Sequence, residues 1–170
     1  MGRKKQYAIG MYGGKFLPFH MGHDYCVRIA AQECETVYVL LFWGGADEEV
    51  IRDRHREQWL SVEERTRQLQ RICDRNSSLA HIVPSLVDIS ELRLPDGSED
   101  WDAEAPLVRS ILGSHLDAVY SSEQSYDEYF KRAYPEAVHR LVDVKRAHYP
   151  ISGTMIRGMA REEDREKWII

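Results

Sequence analysis

Apolar residues along this chain follow two rhythms. Short runs that are apolar at nearly every position alternate with longer polar stretches carrying an apolar residue every third or fourth place. The first short run, residues 7–12, ends at Gly13 and Gly14 and predicts a strand. Met21–Glu33 then places Tyr25, Ile29 and Ala30, with Cys26 beside them, on one helical face. Residues 36–42 are almost wholly apolar, as a parallel strand buried on both faces requires, and Gly44 and Gly45 close it. The polar stretch 46–59 predicts a mobile loop with a short helical turn. Ser61-Val62-Glu63-Glu64 has the form of a capping box and opens a helix to about Cys73. Strands over 80–87, 117–121 and 138–142 alternate with helices over Trp101–Leu112 and 125–133. Pro95-Asp96-Gly97 marks a loop, Pro135 stops the second of those helices, and Ser152 can cap a last helix from Gly153. β-α repeated about five times predicts a single α/β domain: a doubly wound parallel sheet of about five strands with helices on both faces. Ligands of such sheets sit at the carboxyl ends of the strands, near the topological switch point.

Composition narrows the class. The 170 residues are 43% hydrophobic and 30% charged, values suited to one soluble globular core. No apolar run approaches the roughly 18 residues of a membrane span, so no membrane partner is expected. The basic start, residues 1–6, is followed by Gly13, Gly14 and Lys15 rather than by the apolar segment of a secretory signal. Cys26, Cys34 and Cys73 have no C-x-x-C spacing, which implies reduced thiols and a cytoplasmic setting. The net charge of -5 argues against sequence-independent nucleic-acid binding. Local positive charge remains at Arg52, Arg54 and Arg56, and again at Lys145, Arg146 and His148.

Candidate chemistry concentrates in two places. Gly13-Gly14-Lys15-Phe16-Leu17-Pro18-Phe19-His20-Met21-Gly22-His23 lies where strand one hands over to helix one. Glycines let backbone approach a phosphate, and a helix N-terminus offers free N–H groups. His20 and His23, three apart around Gly22, can both face that phosphate. A zinc site built on the same pair lacks the further ligands zinc requires, so no metal ligand is assigned. The second place is Ile151-Ser152-Gly153-Thr154-Met155-Ile156-Arg157. There Ser152, Thr154 and free amides could hold another phosphate and Arg157 could neutralise its charge.

Together the two segments resemble the nucleotidyltransferase superfamily, whose members pair a GxFxPxHxGH-type motif with an ISSTxxR-type motif on a Rossmann-like sheet. Three further stretches sharpen the likeness: Tyr120-Ser121-Ser122-Glu123 with Tyr126 and Tyr129-Phe130, Leu141-Val142-Asp143-Val144-Lys145-Arg146, and Pro150-Ile151-Ser152-Gly153-Thr154. They are similar to the adenylyltransferase domain of bacterial bifunctional nicotinamide-nucleotide adenylyltransferase/ribosylnicotinamide kinases, over most of the chain. Lys15 and Leu17 depart from the superfamily pattern, and Gly153 replaces its second serine. No G-x-x-x-x-G-K-[ST] loop of the kinase half occurs.

The resemblance implies a reaction between ATP and nicotinamide mononucleotide (NMN) that yields NAD and pyrophosphate, with Mg2+ held mainly by the ATP phosphates. It implies catalytic roles for His20, His23 and Arg157. It implies ATP or phosphate contacts from Gly13, Gly14, Lys15, Phe16, Gly22, Ser152, Gly153 and Thr154, with Lys15 bridging the two sets of phosphates. Trp101, Ser122 and Glu123 fall on the acceptor side. Arg52, Arg54 and Arg56 alternate with acids and read singly as a solvated face, while their position after strand two suits a flap over the triphosphate, with Arg65 a weaker candidate for it. Trp101 has two readings, an indole stacked on nicotinamide or a helix-start residue packed on the sheet. Trp43 and Trp59 read as packing residues or loop anchors. Other phosphate acceptors (phosphopantetheine, FMN, a sugar phosphate) and a non-catalytic adenine-nucleotide sensor remain alternatives.

Overall fold

The computed structural model describes residues 4–55, 58–113 and 115–170. Its centre is strand β1 (Tyr7–Gly14), which pairs in parallel with β2 (Cys34–Trp43) on one side and β4 (Ala118–Ser121) on the other. Outside these lie β3 (His81–Asp88) and β5 (Val138–Leu141), giving a parallel five-stranded sheet in the order β3-β2-β1-β4-β5. The order reverses between β1 and β4, so the switch point falls at their carboxyl ends. Pro84 is tolerated inside β3 because that strand is an edge and pairs only with β2.

Alternation along each strand feeds two cores even where every position is apolar. Tyr12, Val37, Val39 and Leu41 face one side with α1 (Met21–Glu33) and α3 (Val62–Asn76), through Val27, Ala30, Leu69 and Ile72. Met11, Leu40 and Val119 face the other, with Val108 and Leu112 of α4 (Trp101–Leu112) and with Tyr134 just beyond α5 (Asp127–Ala133). The doubly wound arrangement expected from the sequence is the one found. All three cysteines are buried and free.

Three local expectations need correction. Residues 46–55 form a regular helix, α2 (Ala46–His55), rather than a loop with one turn. Hydropathy could not reveal it, because a buried charge pair anchors it. Glu48 is 2% exposed, takes an N–H from Gly44 at its own N-terminus (2.9 Å), and is hydrogen-bonded to Arg65 of α3. Arg65 itself is fully buried and belongs to no surface flap. The chain also does not end on the helix capped by Ser152. That helix, α6 (Gly153–Arg157), stops after five residues, and α7 (Glu162–Glu166) follows. Trp59 packs as expected, with the Arg165 guanidinium 5.2 Å over its ring. No helix of the described residues is long and apolar enough to cross a membrane.

Candidate functional site

The glycines of the first motif lie inside the strand, not in the turn. Gly13 and Gly14 are the last residues of β1, paired with Leu40 and Leu41 of β2. A side chain at Gly13 would meet the Phe42 ring at 2.7 Å, so close packing requires the glycine there. The left-handed backbone of the turn is taken by Phe16 (φ 52°), which is buried and stacks on Phe19 with ring centres 3.9 Å apart. Phe16 also sets its ring edge-on to His23 at 4.8 Å and lines the cavity beside it. Arg65 completes the brace by donating to the Lys15 carbonyl oxygen at 2.8 Å.

His20 and His23 cap α1 reciprocally. The Gly22 N–H donates to His20 Nδ1 and the His20 N–H donates to His23 Nδ1, both at 3.0 Å. An imidazole whose Nδ1 accepts carries its proton on Nε2, so each ring keeps a donor. The two rings stack 3.6 Å apart, and His20 is 2% exposed. Burial, then the nearby Arg146 guanidinium, pulls His20 from the usual 6.5 to about 3. Burial, His20 and Arg146 pull His23 well down as well. Both imidazoles are therefore neutral donors near pH 7. Gly22 is required between them, since a side chain there would meet the His20 ring at 2.8 Å.

Arg146 is the residue that charge counting did not separate from its neighbours. Lys145 and His148 are exposed, and His148 stacks on Tyr25 at 4.2 Å. Arg146 instead lines a cavity of about 160 Å³ together with His20, His23, Gly13, Gly14 and Lys15. The loop that brings it there has two left-handed residues, Asp143 (φ 50°) and Arg146 (φ 51°). Asp143 fixes the loop by accepting the N–H groups of His148 and Tyr149, both at 2.9 Å. Arg146 bonds the Ile151 carbonyl (3.0 Å) and Glu123 (3.2 Å). Ser122 and Glu123, expected on the acceptor side, border this same cavity.

A second cavity, about 300 Å³, lies on the α4 side of β1. Trp101, Tyr126, Tyr129 and Phe130 wall it, with Asp47, Glu99 and Glu104 among its polar groups. Trp101 is half-buried; its Nε1–H donates to Glu99 at 2.8 Å and its ring lies 5.1 Å from Tyr126 and 5.3 Å from Tyr129. It thus packs on these aromatics and borders the cavity. Lys15 stands between the cavities, paired with Asp47 (2.5 Å) and Glu99 (3.1 Å). Both cavities share Gly13, Gly14, Lys15, Ser121 and Tyr126. They therefore lie side by side, as two halves of a trough at the carboxyl ends of β1 and β4.

The second motif reaches the first by one tether. Arg157 donates to the Leu17 carbonyl at 2.6 Å and to Thr154 Oγ1 at 3.2 Å. Gly153 leaves room for this crossing, because a side chain there would approach both the guanidinium and that carbonyl at 3.0 Å. Ser152 caps α6 through the Met155 N–H at 3.2 Å, as expected. Arg52 and Arg54 are exposed on α2, and neither lines the trough; Arg56 lies outside the described residues. Among the described residues, no three His, Cys, Asp or Glu side chains cluster closely enough to hold a metal ion unaided.

The cytidylyltransferase-like family profile matches residues 11–159. The trifunctional NAD biosynthesis/regulator protein NadR of Escherichia coli is 26% identical over 156 residues, which is 91% of this chain and 37% of that protein. The chain thus spans well under half the length of that relative. A crystal structure of NadR in complex with NAD and AMP-PNP superposes with a TM-score of 0.65 at 23% identity, covering 98% of this chain and 46% of the other. A bifunctional NMN adenylyltransferase/ADP ribose pyrophosphatase from Francisella tularensis superposes with a TM-score of 0.57 at 20% identity, covering 89% of this chain and 41% of its own.

Proposed function

The chain belongs to the cytidylyltransferase-like family of nucleotidyltransferases, and from that premise we propose that it joins ATP to NMN, giving NAD and pyrophosphate. The observation that carries this reading is the two-part trough, in which a donor-lined cavity and an aromatic one adjoin across Gly13, Gly14 and Lys15. A mononucleotide has a matching shape, a flat base at one end and a phosphate at the other. The likeness to NadR, named for NAD biosynthesis, supports an acceptor whose adenylylation yields NAD.

With the acceptor base among Trp101, Tyr126 and Tyr129, its phosphate reaches the glycine strip and meets the ATP phosphates held beside His20 and His23. An acceptor phosphate oxygen attacks the α-phosphorus in line. The new O–P bond forms as the bond to the β-phosphate bridging oxygen breaks, and that oxygen leaves with pyrophosphate. The attacking phosphate is already ionised at neutral pH and needs no general base. Catalysis is then positioning and charge stabilisation. The two Nε2–H groups donate to phosphate oxygens without carrying charge of their own, and Arg146 supplies the cation. Arg157, which with Ser152 and Thr154 lines neither cavity, steadies the Leu17 backbone, while Lys15 exchanges its carboxylate partners for phosphates. Mg2+ would be held mainly by the triphosphate oxygens and would offset their charge, as it commonly is by substrate phosphates.

Purified protein with ATP, Mg2+ and a panel of phosphate-bearing acceptors tests the proposal. NAD and pyrophosphate are expected to appear in equal amounts with NMN. Turnover of another acceptor with none of NMN would overturn the acceptor. ATP binding without any turnover would favour the sensor.

A further inference from the structure

His20 and His23 are oriented through the backbone. Each Nδ1 is fixed by an N–H of the turn that opens α1, so the imidazoles point where that turn places them. The turn is in its own right held from outside. The Phe19 N–H donates to Gln68 Oε1 of α3 at 3.3 Å, and the Leu17 carbonyl receives Arg157 at 2.6 Å. The remaining support comes from residues 168–170. The Met21 N–H donates to the Trp168 carbonyl at 2.8 Å, and the Ile170 N–H donates to the Phe19 carbonyl at 3.4 Å. Between these two bonds His20 and Ile169 lie opposite one another in an antiparallel bridge.

Residues 168–170 thus form a short strap along the histidine turn, and the strap is anchored behind. The Arg165 carbonyl accepts the Trp168 and Ile169 N–H groups at 3.0 and 3.2 Å. Its guanidinium donates to the Met159 carbonyl at 2.9 Å and covers the Trp59 ring. Arg71 of α3 donates to the Ile170 carbonyl at 3.2 Å, and Ile170 packs against the core on the α1 side of the sheet.

The strap changes what the N-terminus of α1 offers. The sequence predicts free amides there, yet each of the first four N–H groups is engaged. Met21 is taken by Trp168, Gly22 by the His20 ring, and His23 and Asp24 by the His20 carbonyl at 3.0 and 3.2 Å. The donors this turn can present to a phosphate are therefore the two Nε2–H groups. Their placement depends on a backbone that the strap clamps.

We infer that Trp168, Ile169 and Ile170 are positioning residues for the reaction: their backbone pairs with residues 19–21 and holds His20 and His23 where both can donate to phosphate. The inference rests on the proposed role of the two histidines as phosphate donors. It gives the strap no contact with substrate.

Two variants break the strap from opposite sides. Deletion of residues 168–170 removes it. Met21→Pro removes the N–H that meets it and keeps a helix start. Proline suits the first position of a helix, and His20 already has the extended backbone (φ −142°, ψ 177°) that a following proline requires. Each variant should lower kcat by about 10- to 100-fold, the scale of a displaced reacting group, and leave KM for NMN within about threefold. The double variant should be no more than about threefold slower than the slower single one, because both remove the same contact. In both single variants, NMR should show His20 titrating closer to 6.5 than the wild-type value of about 3, as water reaches a ring kept neutral by burial and by Arg146. Wild-type kcat in either folded variant overturns the inference. So do losses that multiply in the double variant. A fall in kcat with an unmoved His20 titration also overturns it, since the strap would then support stability alone. All three results leave NMN adenylylation standing. A wild type that adenylylates no phosphate acceptor would overturn the proposed function, and the positioning role with it. A thermal melt establishes folding, and if the deletion does not fold, Met21→Pro decides the question by the same two readouts, kcat and the His20 titration.

Discussion

The double duty of His20 can be separated by one substitution. Asparagine at position 20 keeps a side-chain oxygen able to accept the Gly22 N–H, as a good helix cap does, but it removes the Nε2–H donor. His20→Asn should therefore keep α1 and lose catalysis. Losing one transition-state donor costs roughly 2.7–4 kcal/mol, or about a 100- to 1000-fold fall in kcat. Stability should change in a way that depends on pH. In the folded protein His20 titrates near 3, against 6.5 for an unperturbed histidine. The native state therefore binds fewer protons than the unfolded chain between these values. The stability contributed by the neutral ring is fully present above 6.5 and drains away as pH falls toward 3. From pH 7 to pH 5 that single group should cost the wild type about 2 kcal/mol, a loss that His20→Asn should escape. Pyrophosphate release gives kcat, and urea melts at pH 7 and 5 give the second quantity as a difference of differences. A kcat within about fivefold of wild type, on a cooperatively folded protein, would refute the donor role, since even a weak oxyanion donor is worth more. An acid stability limb identical in both proteins would refute the buried neutral imidazole.

Two further substitutions probe the trough. Arg146→Met should lower kcat/KM by about 10- to 100-fold, as loss of a charged hydrogen bond to phosphate predicts, and should let His20 titrate at higher pH; normal turnover with an unmoved His20 titration by NMR would contradict both. Trp101→Ala should raise KM for NMN by roughly five- to thirtyfold while that for ATP holds. A lower melting temperature with unaltered NMN affinity would return Trp101 to a packing role.

What was legible in the sequence follows from the kind of interaction that writes it there. Strands and major helices could be read because their apolar spacing answers to burial against a layered sheet, and β2 shows the near-continuous run that two covered faces demand. Helix α2 could not, because Glu48 and Arg65 look like surface charges until they are seen to meet inside. The histidine motif was legible as a unit, but the glycines were given the turn that Phe16 takes. Arg146 was not singled out because it is an ordinary residue type among basic neighbours, and only the left-handed loop turns it, and not them, into the cavity.

The crossed hydrogen bonds between His20 and His23 also have a consequence for how the enzyme comes into being. Assembly of the first turn of α1 and selection of both imidazole tautomers are one event, because each Nδ1 is occupied by a backbone N–H of that turn. A chain in which this turn has frayed has its protons distributed over both ring nitrogens. A chain in which it has formed has them on Nε2. If the two histidines act as proposed, catalytic competence is in this sense a readout of local folding, and any binder that tightens the first turn also tightens the orientation of its donors.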